Sequence, residues 1–426
     1  MIVDANKFVR TVVSALSVLI LFHSTEVRSQ VSYNTNIIPM GDKEPLMGNT
    51  GTGGLNSSGA VYYNPGALTM LKGNSFSLSG SAFVRYRFNA APFVDIDGQT
   101  IDYEGVGYQS IPTSLIFVRS FKQWRFALSV MIPMEFNFHG SRDWFFDIDN
   151  DKLELFLSQD YSERLFLVGL SAARPINDKW SVGVTLYGQY YSLFSTINIQ
   201  TGFVNSSSQP VTQYERQQIT PTSLLGILGI HRLGEKWNFG LRVKLPSAHL
   251  FGKGSYYSFS DLSYLIVGAP IERVNVTENS VYFRTPMDIR IGVSFLHRDN
   301  WKFASDLSYG FPVSYQQFES EEVDLEIDSP STIRWSFGLE RLISDKISMY
   351  GGLSIFPSLD ESGSTIDNTD FGTLYLGGKM ITKHLETSVG MFYSLGSGTT
   401  ELSDSGRTFF QEFENMGVFF GTNYKF

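Results

Sequence analysis

The sequence predicts an all-β protein, a transmembrane antiparallel β-barrel of about fourteen strands, preceded by an N-terminal segment that does not follow the strand pattern. Three observations lead to this prediction. Apolar and polar residues alternate along most of the chain from residue 75 to residue 426, and very short turns alternate with longer polar connections. No stretch after the first thirty residues approaches the ~18 apolar residues that a transmembrane helix needs.

Composition excludes several other classes of protein. Aromatic residues make up 15% of the 426 residues and cysteine is absent, which argues against a disordered chain and rules out a disulfide scaffold. The formal net charge is −9, opposite in sign to that of a nucleic-acid binder, so we expect no nucleic-acid partner. The 6 histidines include no pair spaced four residues apart. We therefore expect no metal site, no cofactor and no enzymatic activity.

The first element, residues 1–29, has the pattern of a signal peptide. Lys7 and Arg10 precede an uncharged run from Thr11 to Phe22, and polar residues follow that run. A membrane anchor is the alternative, but about twelve apolar residues are too few to cross ~30 Å of hydrocarbon as a helix. The sequence thus predicts an exported protein, and with the barrel prediction it indicates the bacterial outer membrane.

The second element, residues 30–74, departs from the strand pattern. It is rich in glycine and small polar residues, and it ends in the run Asn64-Pro65-Gly66-Ala67-Leu68. Asparagine before proline is typical of the start of a helix or turn, because the amide can cap the first turn and proline supplies its backbone angle. Residues 30–74 are therefore set apart from the barrel, and the family resemblance given below implies that they form a plug in its lumen.

The third element, residues 75–426, is predicted to form the barrel. Trp237, Phe239 and Leu241 alternate with polar residues, as expected of strands with one face in lipid. A soluble sandwich would also alternate, but several segments run ten to fourteen residues, about twice the mean length of soluble strands. In this register four basic residues face the lumen: Arg242, Lys244, Arg290 and Arg334. They are predicted either to meet a substrate carboxylate or to pair with acids of the plug.

Turn lengths indicate which end of the barrel is which. Short turns of two or three residues occur near residues 122–123, 177–179, 234–236, 298–300, 344–346 and 382–384. Long connections are predicted at about 89–110, 139–162, 200–218, 253–283, 316–330, 357–369 and 397–411. Outer-membrane barrels have short periplasmic turns and long extracellular loops. Trp124, Trp180, Trp237 and Trp301 each follow a short turn, which indicates an aromatic girdle at the periplasmic boundary.

The last predicted strand alternates Val418, Phe420, Thr422 and Tyr424 and ends at Phe426. It resembles the final strand of bacterial outer-membrane barrels, which characteristically ends in an aromatic residue that the barrel assembly machinery recognises. We therefore expect that machinery as a partner through Phe426.

The end of the plug resembles a known family. A glycine-rich stretch, the pair Tyr62-Tyr63 and then Asn64 to Leu68 precede the first strand, as in the FadL/TodX family of outer-membrane transporters of long-chain fatty acids and hydrocarbons. The usual family wording is Tyr-Asn-Pro-Ala-Gly-Leu, and the two small residues are reversed here. The resemblance implies a fourteen-stranded barrel with a hatch in its lumen.

Pro133 interrupts the predicted third strand. Proline removes a ladder hydrogen-bond donor and is typical of an edge or a bulge. In the family that this sequence resembles, the third strand is kinked to open a lateral gate into the bilayer. Pro133 is therefore predicted to mark such a gate, with an ordinary barrel bulge as the alternative.

Two of the predicted loops carry more apolar residues than a solvated loop needs. These residues are Trp144, Phe145, Phe146, Leu155 and Phe156 in one loop and Leu262, Tyr264, Leu265 and Ile266 in the other. Apolar loop surface outside a barrel indicates a capture groove for a hydrophobic ligand. Loops that pack on one another over the plug would have the same composition, so this alternative stays open.

Together the resemblance and the pattern predict passive uptake of hydrophobic compounds, such as long-chain fatty acids or similar lipids and hydrocarbons. The expected steps are extracellular capture, plug movement and lateral exit. The alternative is an accessory barrel of a secretion system that binds protein cargo or lipoproteins. The expected partners are outer-membrane lipids, lipopolysaccharide and a hydrophobic small molecule, and we expect a monomer.

Overall fold

The computed structural model describes residues 40–96, 99–148, 151–204, 211–261, 271–297, 300–357, 369–402 and 407–426. The predicted signal peptide and the first residues of the predicted plug lie outside these ranges. The structure therefore does not test residues 1–29 as a signal peptide or 30–74 as the bounds of the plug.

Antiparallel strands account for most of the described chain. They are β1 (Ser75–Ile96), β2 (Gln99–Phe121), β3 (Trp124–Ile148), β4 (Asp151–Pro175), β5 (Trp180–Phe203), β6 (Val211–Arg232), β7 (Trp237–Lys244), β8 (Ala248–Asp261), β9 (Ile271–Ser280), β10 (Asp288–His297), β11 (Trp301–Gly310), β12 (Val313–Gln316), β13 (Glu326–Ser329), β14 (Thr332–Ser344), β15 (Ile347–Phe356), β16 (Thr369–Ile381), β17 (Leu385–Leu402) and β18 (Arg407–Lys425). The described helices are short: α1 (Ala60–Tyr63) and the 3-10 helices Pro45–Met47 and Pro65–Met70. None of them has the length and apolar character to span a membrane.

The main sheet closes on itself. Its order runs β5-β4-β3-β2-β1-β18-β17-β16-β15-β14-β11-β10-β7-β6, and β5 pairs with β6 to complete the ring. These fourteen strands confirm the predicted barrel. The hairpin of β8 and β9 extends the wall beside the upper half of β6, and β12 pairs with β13 in a separate small hairpin. Closure leaves no sheet edge facing lipid within the ring, as a membrane barrel requires.

Five of the six predicted short turns are confirmed, and they all lie at one end of the barrel; residues 298 and 299 of the sixth lie outside the described ranges. Each lies between consecutive strands, as between Phe121 of β2 and Trp124 of β3. The four tryptophans Trp124, Trp180, Trp237 and Trp301 are the first residues of β3, β5, β7 and β11. We call this end the short-turn end and the opposite end the long-strand end.

An apolar belt surrounds the lower half of the barrel. On β4 the outward residues between Phe166 and Ala172 are apolar, whereas Arg164 and Arg174 mark its polar limits. Leu170 is 67% exposed on this face although it is apolar. The belt on β4 is about nine residues high, which matches the ~9–11 residues with which a tilted strand crosses a bilayer. The apolar rows of the strands thus face outward. The part of β4 above Arg164 lies outside the belt.

The strands are longer than predicted. β3 and β4 each have 25 residues and include all of 139–162 except residues 149–150, which lie outside the described ranges, so the predicted loop is wrong. The predicted connections at 89–110, 200–218 and 397–411 are likewise mostly strand. The cause is that alternation continues above the belt, where the outer row becomes polar and the inner row stays apolar. Above the belt the wall therefore stands free of lipid with an apolar inner face.

Candidate functional site

The plug segment, residues 40–71, lies inside the barrel against its inner wall. Most of its residues are buried, including Leu46, Met47, Val61 and Tyr63. Wall glycines allow close approach of the plug backbone: a methyl group at Gly352 would overlap the backbone of Gly48. The barrel is therefore closed near its short-turn end by packed protein.

The predicted cap at the end of the plug is confirmed. Asn64 has extended backbone angles, its side-chain oxygen accepts from the amide of Gly66, and Pro65 begins the 3-10 helix Pro65–Met70. The side-chain nitrogen of Asn64 donates to the carbonyl oxygens of Thr52 and Ile230 at 2.7 and 3.0 Å. Its amide thus connects two turns of the plug and β6. Gly66, Ala67 and Leu68 pack at the wall, where Ser181 of β5 donates to the Gly66 carbonyl.

Buried charges connect the plug to the wall. Asp42 pairs with Lys379 of β16 at 3.1 Å, and Lys43 pairs with Glu340 of β14 at 2.6 Å. The hydroxyl of Ser57 lies between two plug carboxylates, 2.6 Å from Asp42 and 2.9 Å from Glu44. Burial acts against ionisation of Asp42, but the charge of Lys379 and the Ser57 hydrogen bond outweigh it and hold the pKa of Asp42 below its usual value. Burial and the neighbouring Asp42 raise the pKa of Glu44 to about 7.

The four predicted lumen bases are all buried and face inward, and two of them pair with acids of the wall. Arg242 forms an ion pair with Asp288, and Arg290 Nε lies 3.1 Å from Asp306, so both acids belong to the wall. Asp306 in turn accepts from the amides of Gly51 and Thr52 at 2.8 and 2.9 Å.

Contact between these bases and the plug is made by backbone and aromatic groups. Arg290 donates to the carbonyl of Asn49 and lies over the ring of Tyr63, and Arg242 lies over the ring of Tyr62. Arg334 lies over the ring of Phe356, and Lys244 pairs in register with Asp288 across β7 and β10. The predicted pairing with plug acids is thus not found for Arg242 and Arg290, whose acid partners come from neighbouring wall strands. For Lys244 and Arg334 it stays a prediction.

An apolar lining runs from the long-strand end down to the plug. The outer cluster comprises Tyr103, Phe146, Ile148, Leu153, Leu155, Leu157, Ile199 and Val211. The inner cluster includes Met131, Met134, Tyr161, Leu165, Tyr187, Tyr191, Phe283 and the plug residues Val61, Tyr62 and Tyr63. Phe138 packs against both clusters, so the lining is continuous.

The predicted capture residues divide between two faces. Trp144, Phe146 and Leu155 face inward and belong to or pack on the outer cluster. Phe145 is 56% exposed on the outer face, and Phe156 also lies in the outward row. All five lie on β3 and β4 rather than in a loop, so their placement in a loop is wrong. Residues 262–270, which include Leu262, Tyr264, Leu265 and Ile266, lie outside the described ranges.

Pro133 lies at a bulge in β3. Met131 pairs with Leu167 of β4 and Met134 with Leu165, so two residues, Ile132 and Pro133, lie opposite one. Such a shift moves the following side chains to the other face of the strand. Below Pro133 the inward residues are odd-numbered, and above it the even-numbered Met134, Phe136 and Phe138 turn toward the lumen.

The same bulge ends the ladder between β2 and β3. Their register runs from Phe121↔Trp124 to Ser114↔Met131, and above it the described parts of β2 and β3 show no further ladder pairs. We call this gap, between residues 99–113 of β2 and 132–148 of β3, the seam. Across it Gln109 donates to the carbonyl of Glu135 at 3.3 Å, and the ring of Phe138 lies against Gly105. Side chains rather than backbone hydrogen bonds therefore close the wall at the seam.

The sequence did not identify a polar group within the inner cluster. Glu163 of β4 is 1% exposed and accepts from the hydroxyls of Tyr191 and Tyr161 at 2.6 and 2.9 Å. It lies above Arg164, outside the apolar belt, and burial raises its pKa to about 7. The sequence did contain a signal for this group, because Glu163 is an acid in an inward row that continues with Leu165 and Leu167. Within the described residues, no group of three or more His, Asp or Glu side chains is arranged to hold a metal ion.

These features define a class: a plugged transmembrane β-barrel with an apolar inner lining. No protein-family model matches the sequence, and no curated protein sequence matches it. Solved structures do match it. A FadL homologue from Pseudomonas aeruginosa aligns with 91% of this chain and 99% of its own, at 13% identity and a TM-score of 0.66.

Two further structures give the same result. The toluene transporter TodX of Pseudomonas putida covers 91% of this chain and 98% of its own, at 14% identity and a TM-score of 0.62. The monoaromatic hydrocarbon channel CymD covers 92% and 98%, at 14% identity and a TM-score of 0.61. At these identities the likeness concerns the fold. The chain has the fold of the FadL and TodX structures, as its sequence predicted.

Proposed function

We propose that the protein is an outer-membrane channel for passive uptake of hydrophobic small molecules. The continuous apolar lining from the long-strand end to the plug, beside the seam in the wall, carries this proposal. Three solved structures with this fold are described as a FadL homologue, a toluene transporter and a monoaromatic hydrocarbon channel. Both aromatic hydrocarbons and long-chain fatty acids are substrate candidates.

The first step in this proposal is capture at the long-strand end. Tyr103, Trp144 and Phe146 line the inner face of the wall above the belt, and their rings remove apolar ligand surface from water. Such burial contributes ~25 cal/mol per Å² of apolar area. The rings of Tyr103 and Trp144 lie 6.2 Å apart, and those of Tyr103 and Phe138 6.3 Å apart, so apolar contacts extend inward to the seam. Diffusion along this lining needs no catalytic group.

The second step is passage out of the lumen, for which two routes are compatible with the proposal. Movement of the plug would open a path to the short-turn end. Separation of β2 and β3 at the lower end of the seam, where Met134 is level with Leu165 just below Arg164, would open a lateral path into the bilayer. It would break few hydrogen bonds because the ladder ends at Ser114 and Met131. Pro133 supports the lateral route, since it prevents the backbone donor that a continuous ladder would use.

Uptake by cells tests the proposal. A bacterial strain that lacks its own uptake barrel is given this protein, and accumulation of labelled toluene and of a labelled long-chain fatty acid is compared with the empty strain. We expect faster accumulation of at least one of the two. Equal accumulation of both with and without the protein would reject the proposed function.

Pro133→Ala tests the lateral route in the same assay. Alanine restores an amide donor at the bulge and favours a longer ladder between β2 and β3, so we expect uptake to fall several-fold. Pro175→Ala, at the short-turn end of β4, is the matched control and should leave uptake unchanged. Heat-modified mobility on gels reports folding of both variants. Normal uptake by a folded Pro133→Ala variant would argue against exit at the seam.

A further inference from the structure

The residues that connect β9 to β10 fold into the lumen. Within this segment, residues 281–287, the side chains of Val281, Phe283 and Thr285 are buried, whereas Arg284 is exposed. The amide of Ser247 donates to the carbonyl of Thr285 at 3.0 Å, and the amide of Thr285 donates to the hydroxyl of Ser247 at 2.8 Å. We call this segment the strap.

Phe283 of the strap lies face to face with Tyr191 of β5. The ring centroids are 3.9 Å apart and the ring planes differ by 11°. Phe283 is 1% exposed and belongs to the inner cluster that continues to the plug. A flat aromatic ligand that diffuses along the lining could stack on the ring of Tyr191. In the structure Phe283 occupies that stacking position.

A polar group, the carboxylate of Glu163, lies beside the Tyr191–Phe283 stack. The hydroxyl of Tyr191 donates to one oxygen of Glu163, and Tyr161 donates to the other. In the described part of the chain no cation forms an ion pair with Glu163. Each carboxylate oxygen can accept a second hydrogen bond, so the group can accept from a further hydroxyl. A second anion beside it would be opposed by like charge and by desolvation.

We propose that Phe283 occupies a ring-binding subsite in the lumen, and that a neutral planar aromatic molecule displaces it to stack on Tyr191. The inference rests on the proposed function and narrows its substrate class. A hydroxyl substituent on the ligand would reach Glu163, whereas an aromatic carboxylate would be rejected there. Long-chain fatty acids, which lack a ring and carry a carboxylate, do not fit this subsite.

The structure of the strap suits such a displacement. Apart from the single bridge of Val281 with Phe318, the described strap residues take no part in a ladder. Its contacts with the wall include the hydrogen bonds with Ser247 and one from the Thr285 hydroxyl to Gln189 at 3.0 Å. If the ligand binds only when Phe283 has moved away from Tyr191, its apparent affinity is the intrinsic affinity multiplied by the fraction of molecules in that open state. Removal of the Phe283 ring should therefore raise the affinity.

Binding to the purified full chain in detergent tests this inference. The probes are naphthalene, 2-naphthol and 2-naphthoate, followed by their own fluorescence, and the Phe283→Ala/Tyr191→Leu double variant gives the background from partition into micelles. Phe283→Ala should bind naphthalene and 2-naphthol about tenfold more tightly than the unmodified protein. Phe251→Ala is the matched control, because Phe251 is 66% exposed on the outer face; it should bind as the unmodified protein does.

Failure to gain affinity in Phe283→Ala, or an equal gain in Phe251→Ala, would overturn the subsite. A second comparison, made at about pH 8.5 where Glu163 is ionised, tests the repulsion: in the Phe283→Ala background, Glu163→Gln should strengthen binding of 2-naphthoate several-fold and leave naphthalene unchanged. Equal binding of 2-naphthoate and naphthalene before that change would overturn the selection against carboxylates. If the binding gain is found but cells take up neither test substrate, the proposed function fails while the subsite stands.

Discussion

Single buried polar groups hold the plug in the lumen. Asp306 accepts two backbone hydrogen bonds from the plug while it pairs with Arg290, and Asn64 connects Thr52 to Ile230. Hydrogen bonds to an ionised group are about twice as strong as neutral ones. Removing one partner of such a buried group leaves the other uncompensated, which usually costs several kcal/mol. The closed state of the barrel therefore depends on a few polar contacts in an otherwise apolar lumen.

Glu44 should make closure of the plug depend on pH. Its folded pKa of about 7 lies above its usual value of 4.5, so the stability associated with it is fully present below about pH 4.5. That stability is lost as pH rises through 7, by about 3 kcal/mol at most, because the charged form is buried beside Asp42. The stability contributed by Asp42 has the opposite pH dependence. Because the pKa of Asp42 is lowered in the plug, this contribution is lost only when the pH falls below the usual carboxyl range. We expect the plug to loosen progressively between about pH 4.5 and 7 and to change little above that range.

Thiol labelling measures this effect, because the chain has no cysteine of its own. Ser58, which is buried in the plug, is changed to cysteine and its reaction with a water-soluble maleimide is followed from pH 5 to pH 9. The same scan with Ser58→Cys/Glu44→Gln corrects for ionisation of the thiol. The labelling rate of Ser58→Cys divided by that of Ser58→Cys/Glu44→Gln should rise roughly tenfold or more between pH 5 and pH 7 and should level off above pH 7. A constant ratio would show that Glu44 does not control the plug.

The sequence predicted which way individual side chains point but not what they contact. Alternation placed Arg242 and Arg290 inside, and the structure has them there. Their partners Asp288 and Asp306 lie 46 and 16 residues away along the chain, and they are brought close by pairing of β7 with β10 and of β10 with β11. Glu163, Tyr191 and Phe283 were missed for the same reason, since their contact joins β4, β5 and the strap.

Among the secondary-structure elements, turns were easier to predict than strand ends. Short polar turns interrupt an alternating pattern abruptly, so the five that lie within the described ranges were all located. The upper ends of β3 and β4 were missed because their outer row turns polar while alternation continues, which in sequence is typical of a loop as well as of an exposed strand. The breaks at Pro246 and Pro286, which separate β7 from β8 and β9 from β10, carried a proline signal that could have been used.

Close packing between wall and plug gives a prediction at β7. Gly240 faces the plug, and a methyl group there would overlap the carbonyl of Thr52 and crowd the Asn64 amide. Gly240→Ala should therefore displace the plug and raise thiol labelling in the Ser58→Cys protein at least tenfold, since backbone overlap in a packed core costs about 1–3 kcal/mol. Gly372→Ala on β16 is the matched control, because nothing lies within 4 Å of its added methyl group.

Equal labelling in the Gly240→Ala and Gly372→Ala proteins would show that the plug does not rest on β7. Labelling raised in both would point to general loosening of the barrel instead. Folding of each variant is checked independently by its heat-modified mobility on gels.

At the scale of the whole molecule, each barrel strand contributes to two different surfaces, an outer one that faces lipid and an inner one that faces the lumen. The outward rows below Arg164 are apolar and form the belt, whereas the inward rows combine buried charges near the plug with an apolar lining above it. A soluble protein of this size would bury its most apolar rows, yet here Leu170, Met349 and Ile291 are all more than half exposed. Lipid is the solvent that makes this arrangement stable.

A nitroxide scan along β10 in lipid bilayers tests this arrangement directly. Single cysteines at positions 289–295 carry the label in turn, and collision with dissolved oxygen, which concentrates in the hydrocarbon, is measured at each. The account predicts high oxygen accessibility at positions 289, 291, 293 and 295 and low values at 290, 292 and 294, where the side chains face the plug. Accessibility without this period of two, or with its maxima at the even positions, would contradict it.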